Sequence, residues 1–377
     1  MNISEKNYRG KSMLQGIKNK VLSGRRLTKE DAIRLFETDD IFTLGKLASH
    51  VAKKKNGNKA YFIQNIHINP TNICINRCKF CAFSRSKGEE GAYELTIDEI
   101  IKKLKEGQVV RSKKQKVDSS LPYTEVHIVG GLHPDWPFEY YLEMLANIKK
   151  SFPKICIKAF TATEIEYFSR LSRKSIYNTL LELKKNGLDT MPGGGAEIFD
   201  IGVRNQLCPE KLSGEGWLSV MEAAHMAGIK TNATMLYGHV ENYSQRVEHL
   251  MRLRELQDRT KGFQAFISLA YHPKNTEIGG SYSSGIDDLK TVAVSRLVLD
   301  NFTHIKAYWV MLGEKLSQLA LLFGADDIDG TIIDEKITHS AGALSSKAMT
   351  AEQLVNMIKK AGKVPVERDS FYKKVDN

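Results

Sequence analysis

Three of the five cysteines lie close together, in the stretch Cys74-Ile-Asn-Arg-Cys78-Lys-Phe-Cys81. Three thiolates on one short loop can bind a metal centre, but they supply only three ligands to it. Zinc usually takes four ligands from two separated pairs, and no later Cys or His pair follows at such a spacing. A [4Fe–4S] cluster that keeps one iron free of protein ligands suits three thiolates better. The spacing therefore favours an iron–sulfur cluster whose open iron can bind a small molecule.

The other two cysteines are isolated. Cys156 lies in the apolar run 155–160, and Cys208 precedes a proline. We interpret both as structural, because neither has a partner at ligand spacing. The chain has no run of about 18 uncharged apolar residues and no apolar core behind its first residues, so we expect neither a membrane span nor a signal peptide. We therefore expect a cytoplasmic protein, whose thiols stay reduced and can bind metal.

The formal net charge of the chain is +11. The positive excess lies in residues 1–57 and 101–116, away from the cysteine stretch. Basic patches of this kind can bind nucleic acid. We favour a solvated, lysine-rich face, because no aromatic residues alternate with these lysines as a stacking platform requires. We expect no nucleic-acid partner and no membrane partner.

Predicted strands and helices alternate along most of the chain. This β-then-α rhythm is typical of a parallel (β/α) barrel of the TIM type, an α/β fold, and a doubly wound open sheet is the alternative. The predicted strands cover residues 61–68, 124–129, 155–160, 187–191, 231–237, 264–270 and 305–310, with an irregular eighth over 326–332.

The chain divides into three predicted parts. Residues 1–57 form an N-terminal helical extension, in which Thr28 caps one helix and Gly57 ends the next. Residues 58–330 form the barrel. Residues 331–377 form a C-terminal segment that contains a closing helix and packs on the barrel.

The unusual residues fall where chemistry is expected in such a barrel, at the C-terminal ends of the strands. The cysteine stretch follows the first strand, and Gly130-Gly131 follows the second. Gly193-Gly-Gly-Ala-Glu197 follows the fourth strand, and Gly238-His239-Val240-Glu241 follows the fifth. The barrel prediction therefore gathers these segments at one mouth.

The motif C-x3-C-x-aromatic-C after the first barrel strand resembles that of the radical S-adenosylmethionine (SAM) superfamily. The resemblance implies that Cys74, Cys78 and Cys81 hold a [4Fe–4S] cluster, whose open iron takes the amino and carboxylate groups of SAM. Reductive cleavage of SAM then yields a 5′-deoxyadenosyl radical. The low potential of such clusters is consistent with this chemistry.

Matching positions imply further SAM-binding residues: Phe80 beside the adenine, Gly130 and Gly131 at the methionyl amine, Glu197 at the ribose, and Glu241 in the fifth-strand adenine segment. Each has a structural alternative, namely a plain turn for the glycines and a capping or ion-paired role for Glu197. The superfamily's usual first glycine of the fifth-strand segment is Thr234 here.

Four longer segments resemble the aminofutalosine synthases, a family within that superfamily: residues 130–141, 191–199, 208–213 and 232–239. The cyclic dehypoxanthine futalosine synthases and the deazaflavin (F0) synthase subunit share much of this pattern and remain alternatives. His133 and Cys208-Pro-Glu-Lys211 favour the aminofutalosine family. Outside enzymes, the alternative is a metal-stabilised nucleic-acid-binding protein.

The resemblance implies one reaction of menaquinone biosynthesis. The adenosyl radical adds to 3-[(1-carboxyvinyl)oxy]benzoate, the former carboxyvinyl carboxylate is lost as CO2 or bicarbonate, methionine is released, and 6-amino-6-deoxyfutalosine forms. SAM is then a co-substrate, and a flavodoxin or ferredoxin is the expected reductant. A dicarboxylate needs donor groups at the barrel mouth, and His67, His127, His133, His239 and His272 lie on or beside strands. We predict His133 and His239 as the pocket residues and assign no general base.

Overall fold

A computed structural model describes residues 14–107 and 123–375 of the chain. The described part contains ten strands, all paired in parallel. The strands are β1 Lys59–Ile63, β2 Asn65–Ile68, β3 Glu125–Ile128, β4 Cys156–Ala159, β5 Thr190–Met191, β6 Lys230–Tyr237, β7 Phe263–Ala270, β8 His304–Lys306, β9 Asp327–Gly330 and β10 Val364–Glu367.

The strands form one curled sheet in the order β10-β1-β9-β8-β7-β6-β5-β4-β3-β2. Only Gln64 separates β1 from β2 in the chain. In the sheet, however, β2 is the strand at one end, and β1 lies next to β10 at the other end. β1 pairs with β9 and β10, whereas β2 pairs with β3. A single isolated bridge joins Ile66 of β2 to Ile333, which follows β9, so the barrel closes only partially there. The barrel prediction is therefore confirmed over the open doubly wound sheet.

The helices cover the outside of the sheet, which explains why most of its strand residues are buried. Strand β6, for example, is buried from Thr231 to Tyr237. The helices are α1 (residues 14–22), α2 Lys29–Glu37, α3 Ile41–Asn56, α4 Ile97–Glu106, α5 Phe138–Ser151, α6 Ala162–Ser172, α7 Ile176–Lys185, α8 Ile201–Leu207, α9 Gly214–Met226, α10 Tyr243–Thr260, α11 Gly285–Val298, α12 Trp309–Leu312, α13 Glu314–Ala320, α14 Ile337–Ser340 and α15 Ala351–Lys360.

The N-terminal helices pack on the outer face of α10 and α11. Helix α2 begins at the predicted cap, where Thr28 and Asp31 form a capping box. Helix α3 ends at Gly57, whose positive φ of 64° favours glycine. Arg26 adds ion pairs to Asp258 and Asp300. The basic region 101–116 is described only as far as residue 107, and its remainder lies outside the described residues.

The C-terminal segment contributes a strand as well as helices. Strand β10 extends the sheet beyond β1. Directly after it, the Arg368 Nε donates to Asp327 Oδ2 of β9 at 2.6 Å, and both side chains are buried. Another difference from the sequence prediction concerns residues 305–310, because the strand ends at Lys306 and Trp309 already begins α12. No helix of the described residues is long and apolar enough to cross a membrane.

Candidate active site

A cavity of about 320 Å³ opens at the C-terminal ends of the strands and continues into the barrel lumen. The cysteine loop and the glycine segments after β3 and β5 line its mouth. The predicted segments after the first, second and fourth strands therefore meet at one site. Of the segment after the fifth strand, Gly238 to Glu241, no residue belongs to the lining.

The cysteine loop presents Cys74, Cys78 and Cys81 to the cavity. Backbone hydrogen bonds fix it from two sides: the Ile75 N–H donates to Leu132 O at 3.0 Å, and the Lys79 N–H donates to Leu207 O at 2.8 Å. Among the described residues, no three His, Cys, Asp or Glu side chains gather tightly enough for a single metal ion. A [4Fe–4S] cluster binds each thiolate through a different iron, so its ligands stand farther apart than those of one ion. Three thiols on a fixed loop at the wall of a cavity fit that larger group.

The Gly130-Gly131 segment packs against the backbone of the cysteine loop. A Cβ on Gly131 would lie 2.1 Å from the Ile73 carbonyl oxygen, which no real contact tolerates. The Gly131 N–H donates to Thr71 O at 3.0 Å. Glycine at position 131 is thus required by the cysteine loop itself, and both glycines also line the cavity. A different reason for glycine at positions 130 and 131, expected from the sequence, is the close approach of a ligand to the backbone.

Glu164 lies beside this segment, and the sequence did not single it out. Its Oε1 accepts a hydrogen bond from the Gly130 N–H at 3.2 Å, and it lines the cavity. Burial raises the pKa of Glu164 to about 7, against the opposing effect of hydrogen bonds from Thr161. Near neutral pH this carboxyl group can therefore hold or release a proton next to the glycine segment.

Glu197 lines the cavity and is ion-paired, with its Oε1 2.6 Å from Lys211 Nζ. Burial alone would raise the pKa of Glu197, but the charge and hydrogen bond of Lys211, together with the charges of Arg204 and His239, outweigh burial and hold the pKa below its usual value. Lys211 Nζ also lies 5.3 Å from the centroid of the Phe80 ring. The pair leaves the Glu197 carboxylate charged at the wall of the cavity, where its second oxygen can accept further hydrogen bonds.

Neither Cys208 nor Cys156 lines the cavity, but Cys208 lies next to the cysteine loop. The Cys208 thiol is buried and in hydrogen-bond contact with Cys78. That contact and burial raise the pKa of Cys78, while nearby Lys211 acts in the opposite direction. Burial raises the pKa of Cys156 to about 12, so it stays a neutral thiol. Cys208 thus contacts one of the predicted cluster ligands, which its isolated place in the sequence did not indicate.

A polar layer crosses the lumen below the cysteine loop. His67, His127 and Lys158 are register partners on β2, β3 and β4, and all three line the cavity. The two imidazole rings lie 4.5 Å apart. Burial lowers the pKa of both histidines, so the rings are neutral at pH 7.

Two buried lysines belong to this layer, and the sequence reasoning missed both. Lys158 forms a close ion pair with Glu125, and Lys306 Nζ lies 3.4 Å from Asp329 Oδ2. Burial lowers the pKa of Lys306. The available signal was a lysine inside an otherwise apolar strand, because a parallel barrel strand is covered on both faces and a charge there needs a partner.

His133 and His239, the predicted pocket residues, lie outside the cavity lining. The His133 Nδ1 accepts hydrogen bonds from the Asp135 and Trp136 N–H groups, and its ring stacks on Trp136. His239 accepts from its neighbour's backbone N–H and lies 2.8 Å from Glu241. Glu241 itself accepts from the Gly238 N–H and pairs with Arg246. These contacts favour structural roles, and the binding roles of the three residues stay predictions.

A partial parallel barrel with three loop cysteines at its mouth is the architecture of radical SAM enzymes, and comparisons with known proteins agree. The family model of the radical SAM superfamily matches residues 68–253, and a model of the CofH/MqnC C-terminal region matches residues 260–377. Among solved structures, methylornithine synthase (PylB) has a similar fold, with a TM-score of 0.73 at 18% identity over 93% of this chain and 97% of that one. The chain belongs to the radical SAM superfamily, whose enzymes use a [4Fe–4S] cluster and SAM.

Curated relatives are similar over nearly their full lengths. An aminodeoxyfutalosine synthase of Thermus thermophilus is 44% identical, covering 95% of each chain. One of Streptomyces coelicolor is 43% identical, covering 94% of this chain and 92% of that one. A 5-amino-6-(D-ribitylamino)uracil–L-tyrosine 4-hydroxyphenyl transferase of Methanococcoides burtonii is 40% identical, covering 92% and 96%.

Proposed function

We propose that the chain is an aminodeoxyfutalosine synthase of menaquinone biosynthesis. It adds the 5′-deoxyadenosyl group of SAM to 3-[(1-carboxyvinyl)oxy]benzoate and forms 6-amino-6-deoxyfutalosine, with release of methionine and of the carboxyvinyl carboxylate as CO2 or bicarbonate. The observation that carries the proposal is full-length similarity, at 44% and 43% identity, to two proteins of that name. The reduced thiols that a cluster needs favour the cytoplasm as its location.

The residues at the mouth can be assigned roles in this reaction. Cys74, Cys78 and Cys81 would hold the [4Fe–4S] cluster, which supplies the electron for cleavage of bound SAM. Gly130 and Gly131 would receive the methionyl end of SAM, and Glu164 lies within reach of that segment. Because the pKa of the Glu164 carboxyl group is about 7, this group can lose its proton and become negatively charged when an ammonium group binds beside it.

The rest of the cavity suits an aromatic acceptor. Its wall is largely apolar and includes Phe80, Leu236, Ile267 and Leu269, which excludes water from the reacting groups. Glu197 and Phe80 face the cavity beside the cysteine loop, where ribose and adenine of SAM would lie. The far end of the acceptor would then lie against the polar layer deeper in the lumen, formed by His67, His127, Lys158 and Lys306.

The second candidate is a tyrosine-dependent transferase of the F0 synthase type. It is favoured by 40% identity to relatives of that name and by the match of residues 260–377 to a C-terminal region shared by CofH and MqnC. The cyclic dehypoxanthine futalosine synthases, considered from the sequence, are the third reaction to test. All three share the cluster and SAM and differ in the acceptor.

Turnover separates these functions. Anaerobically reconstituted enzyme, reduced by flavodoxin or ferredoxin, is supplied with SAM and one acceptor at a time: 3-[(1-carboxyvinyl)oxy]benzoate, dehypoxanthine futalosine, or L-tyrosine with 5-amino-6-(D-ribitylamino)uracil. We expect only the first to give a product that retains adenine, detected by mass spectrometry. A product from either of the other acceptors, with none from the first, would move the assignment to that reaction.

A further inference from the structure

Two histidines in the lumen have ring nitrogens with no hydrogen-bond partner among the described residues. The side chains of His67 and His127 make no hydrogen bond to any described residue, although both rings are enclosed within the barrel. A neutral imidazole carries one N–H donor and one acceptor nitrogen. Buried polar groups in native proteins are usually satisfied, so these rings are suited to bind a polar ligand.

Lys306 is the least satisfied of the three lysines that line the cavity. Lys158 and Lys211 are held closely by Glu125 and Glu197, whereas the one described contact of the Lys306 ammonium is Asp329 Oδ2 at 3.4 Å. An ammonium group has three donors, and its burial is costly unless they are used. An anion that enters the lumen would therefore gain most from Lys306.

These groups share one depth of the barrel. His67 and His127 are register partners near the ends of β2 and β3, immediately before the cysteine loop and the Gly130-Gly131 segment. Lys306 is the last residue of β8, across the lumen. All three side chains line the same cavity, and each belongs to the C-terminal half of its strand.

The anions of this layer leave Lys306 available. Glu125 is held by Lys158, and the Glu335 carboxylate has its own donors in the Thr338 N–H at 2.8 Å and in His339 at 2.9 Å. Asp329 has Lys306 as its described side-chain partner. The charge of Asp327 also acts on Lys306, but Asp327 is held by Arg368 at 2.6 Å. Among the described carboxylates, Asp329 is therefore the one in ion-pair contact with which a ligand anion would share Lys306.

We infer that His67, His127 and Lys306 form a carboxylate-binding subsite that orients the acceptor substrate below the SAM-binding segments. The inference rests on the proposed function, because that acceptor is a dicarboxylate in an otherwise mainly apolar cavity. Neutral imidazoles donate hydrogen bonds without adding charge, and Lys306 supplies the counter-charge. Either the benzoate or the acrylate carboxylate has the required chemistry.

The test measures binding, not turnover. Reconstituted enzyme with an oxidised cluster and SAM is titrated anaerobically by calorimetry with four ligands: 3-[(1-carboxyvinyl)oxy]benzoate, 3-methoxybenzoate, 2-phenoxyacrylate and L-tyrosine. Lys306→Met should raise the Kd of the dicarboxylate about 10- to 100-fold, since one charged hydrogen-bonded contact is lost. It should affect one monocarboxylate analogue equally and the other less than about threefold, which identifies the bound carboxylate.

Two companion variants separate binding from folding. Asp329→Asn removes the carboxylate that competes with the ligand for Lys306, so it should tighten dicarboxylate binding about 3- to 10-fold. A purely structural role of Lys306 would not produce this effect. Lys306→Met combined with Asp329→Asn removes both charges, so it avoids an unpaired buried carboxylate and should still show weakened binding. Lys290→Met is the control, since its ammonium donates to Phe36 O at 3.0 Å on the outer helices and does not line the cavity.

The outcomes are distinct. Equal loss for both monocarboxylates, no loss for either, or weaker binding in Asp329→Asn would overturn the subsite. If the wild type binds L-tyrosine and not the dicarboxylate, and Lys306→Met weakens that binding, the proposed function fails while the subsite stands. If the wild type binds none of the four ligands, both the function and the subsite fall.

Discussion

Gly131→Ala should displace the cysteine loop and cost the protein its cluster. The added Cβ would lie 2.1 Å from Ile73 O and 3.1 Å from Cys74 Cβ, whereas real contacts respect about 3.0 Å. The obstacle is backbone rather than the end of a flexible side chain, so the segment before Cys74 must move by about 0.9 Å. Overpacking of this kind costs about 1–3 kcal/mol, and we expect the upper part of that range.

Gly130→Ala is a closely matched control. Neither glycine has a positive φ, so alanine suits both backbones, and the new Cβ at position 130 would meet Thr71 O at 3.1 Å, a distance that small adjustments accommodate. Iron content after anaerobic reconstitution, read without SAM, tests the loop independently of ligand binding. We expect about four irons per chain for the wild type and Gly130→Ala, and fewer than about two for Gly131→Ala. Full iron content and unchanged urea stability in Gly131→Ala would refute the reasoning.

Four further predictions concern the ligand set, the thiol beside it, a buried acid and the C-terminal strand. Replacing Cys74, Cys78 or Cys81 singly by alanine should abolish the cluster and its EPR signal. Cys156→Ala should keep about four irons per chain. Loss of iron in Cys156→Ala would mean that the cluster has a different ligand set. Cys208→Ala should keep the cluster but lower its reduction potential in a redox titration, because a hydrogen bond to Cys78 is removed; an unchanged potential counts against that contact. The folded-state pKa of Glu164 is raised to about 7 from 4.5, so protonated Glu164 contributes stability that is present below pH 4.5 and is lost as the pH rises through 7. This contribution is at most about 3 kcal/mol. Glu164→Gln should remove this pH dependence in urea unfolding curves. Arg368→Met should destabilise the protein by about 3–5 kcal/mol, since it leaves Asp327 buried without its ion-pair partner. Arg259→Met, at an exposed ion pair, should cost less than about 1 kcal/mol. Similar losses in both variants would contradict a stabilising role for the ion pair that follows β10.

The order of strands and helices could be predicted because apolar runs, caps and glycine stops recur with a regular β/α rhythm. Two local errors have physical causes. Residues 309–312 are buried whether they are strand or helix, and a short apolar run does not distinguish the two. Strand β10 has an exposed first residue and three half-buried ones, so it has no buried apolar pattern. It also contains Pro365, a residue that a sheet accepts at an edge and that weakens any strand signal.

The mouth of the site was more predictable than its depth. Three cysteines on one loop are a local pattern, and the glycine segments follow predicted strands. The lumen layer depends on which residues face inward at the same level of different strands, and that is set by register. His67 and His127 were named as candidate site residues. Lys158 and Lys306 lay in predicted strands but were not named, because each has a buried acidic partner on another strand that the sequence does not place beside it.

The seam between β1 and β2 has a consequence for how the enzyme is made. The stretch of chain that carries the cysteine loop finds its other neighbours in residues 327–330 and 364–367, near the far end of the chain. A nascent chain on the ribosome has therefore synthesised the cysteines long before it can pair the strand that supports them, and such long-range parallel pairing is slow. We expect cluster insertion to follow synthesis of these two strands, and the three thiols to be exposed to oxidation throughout that interval.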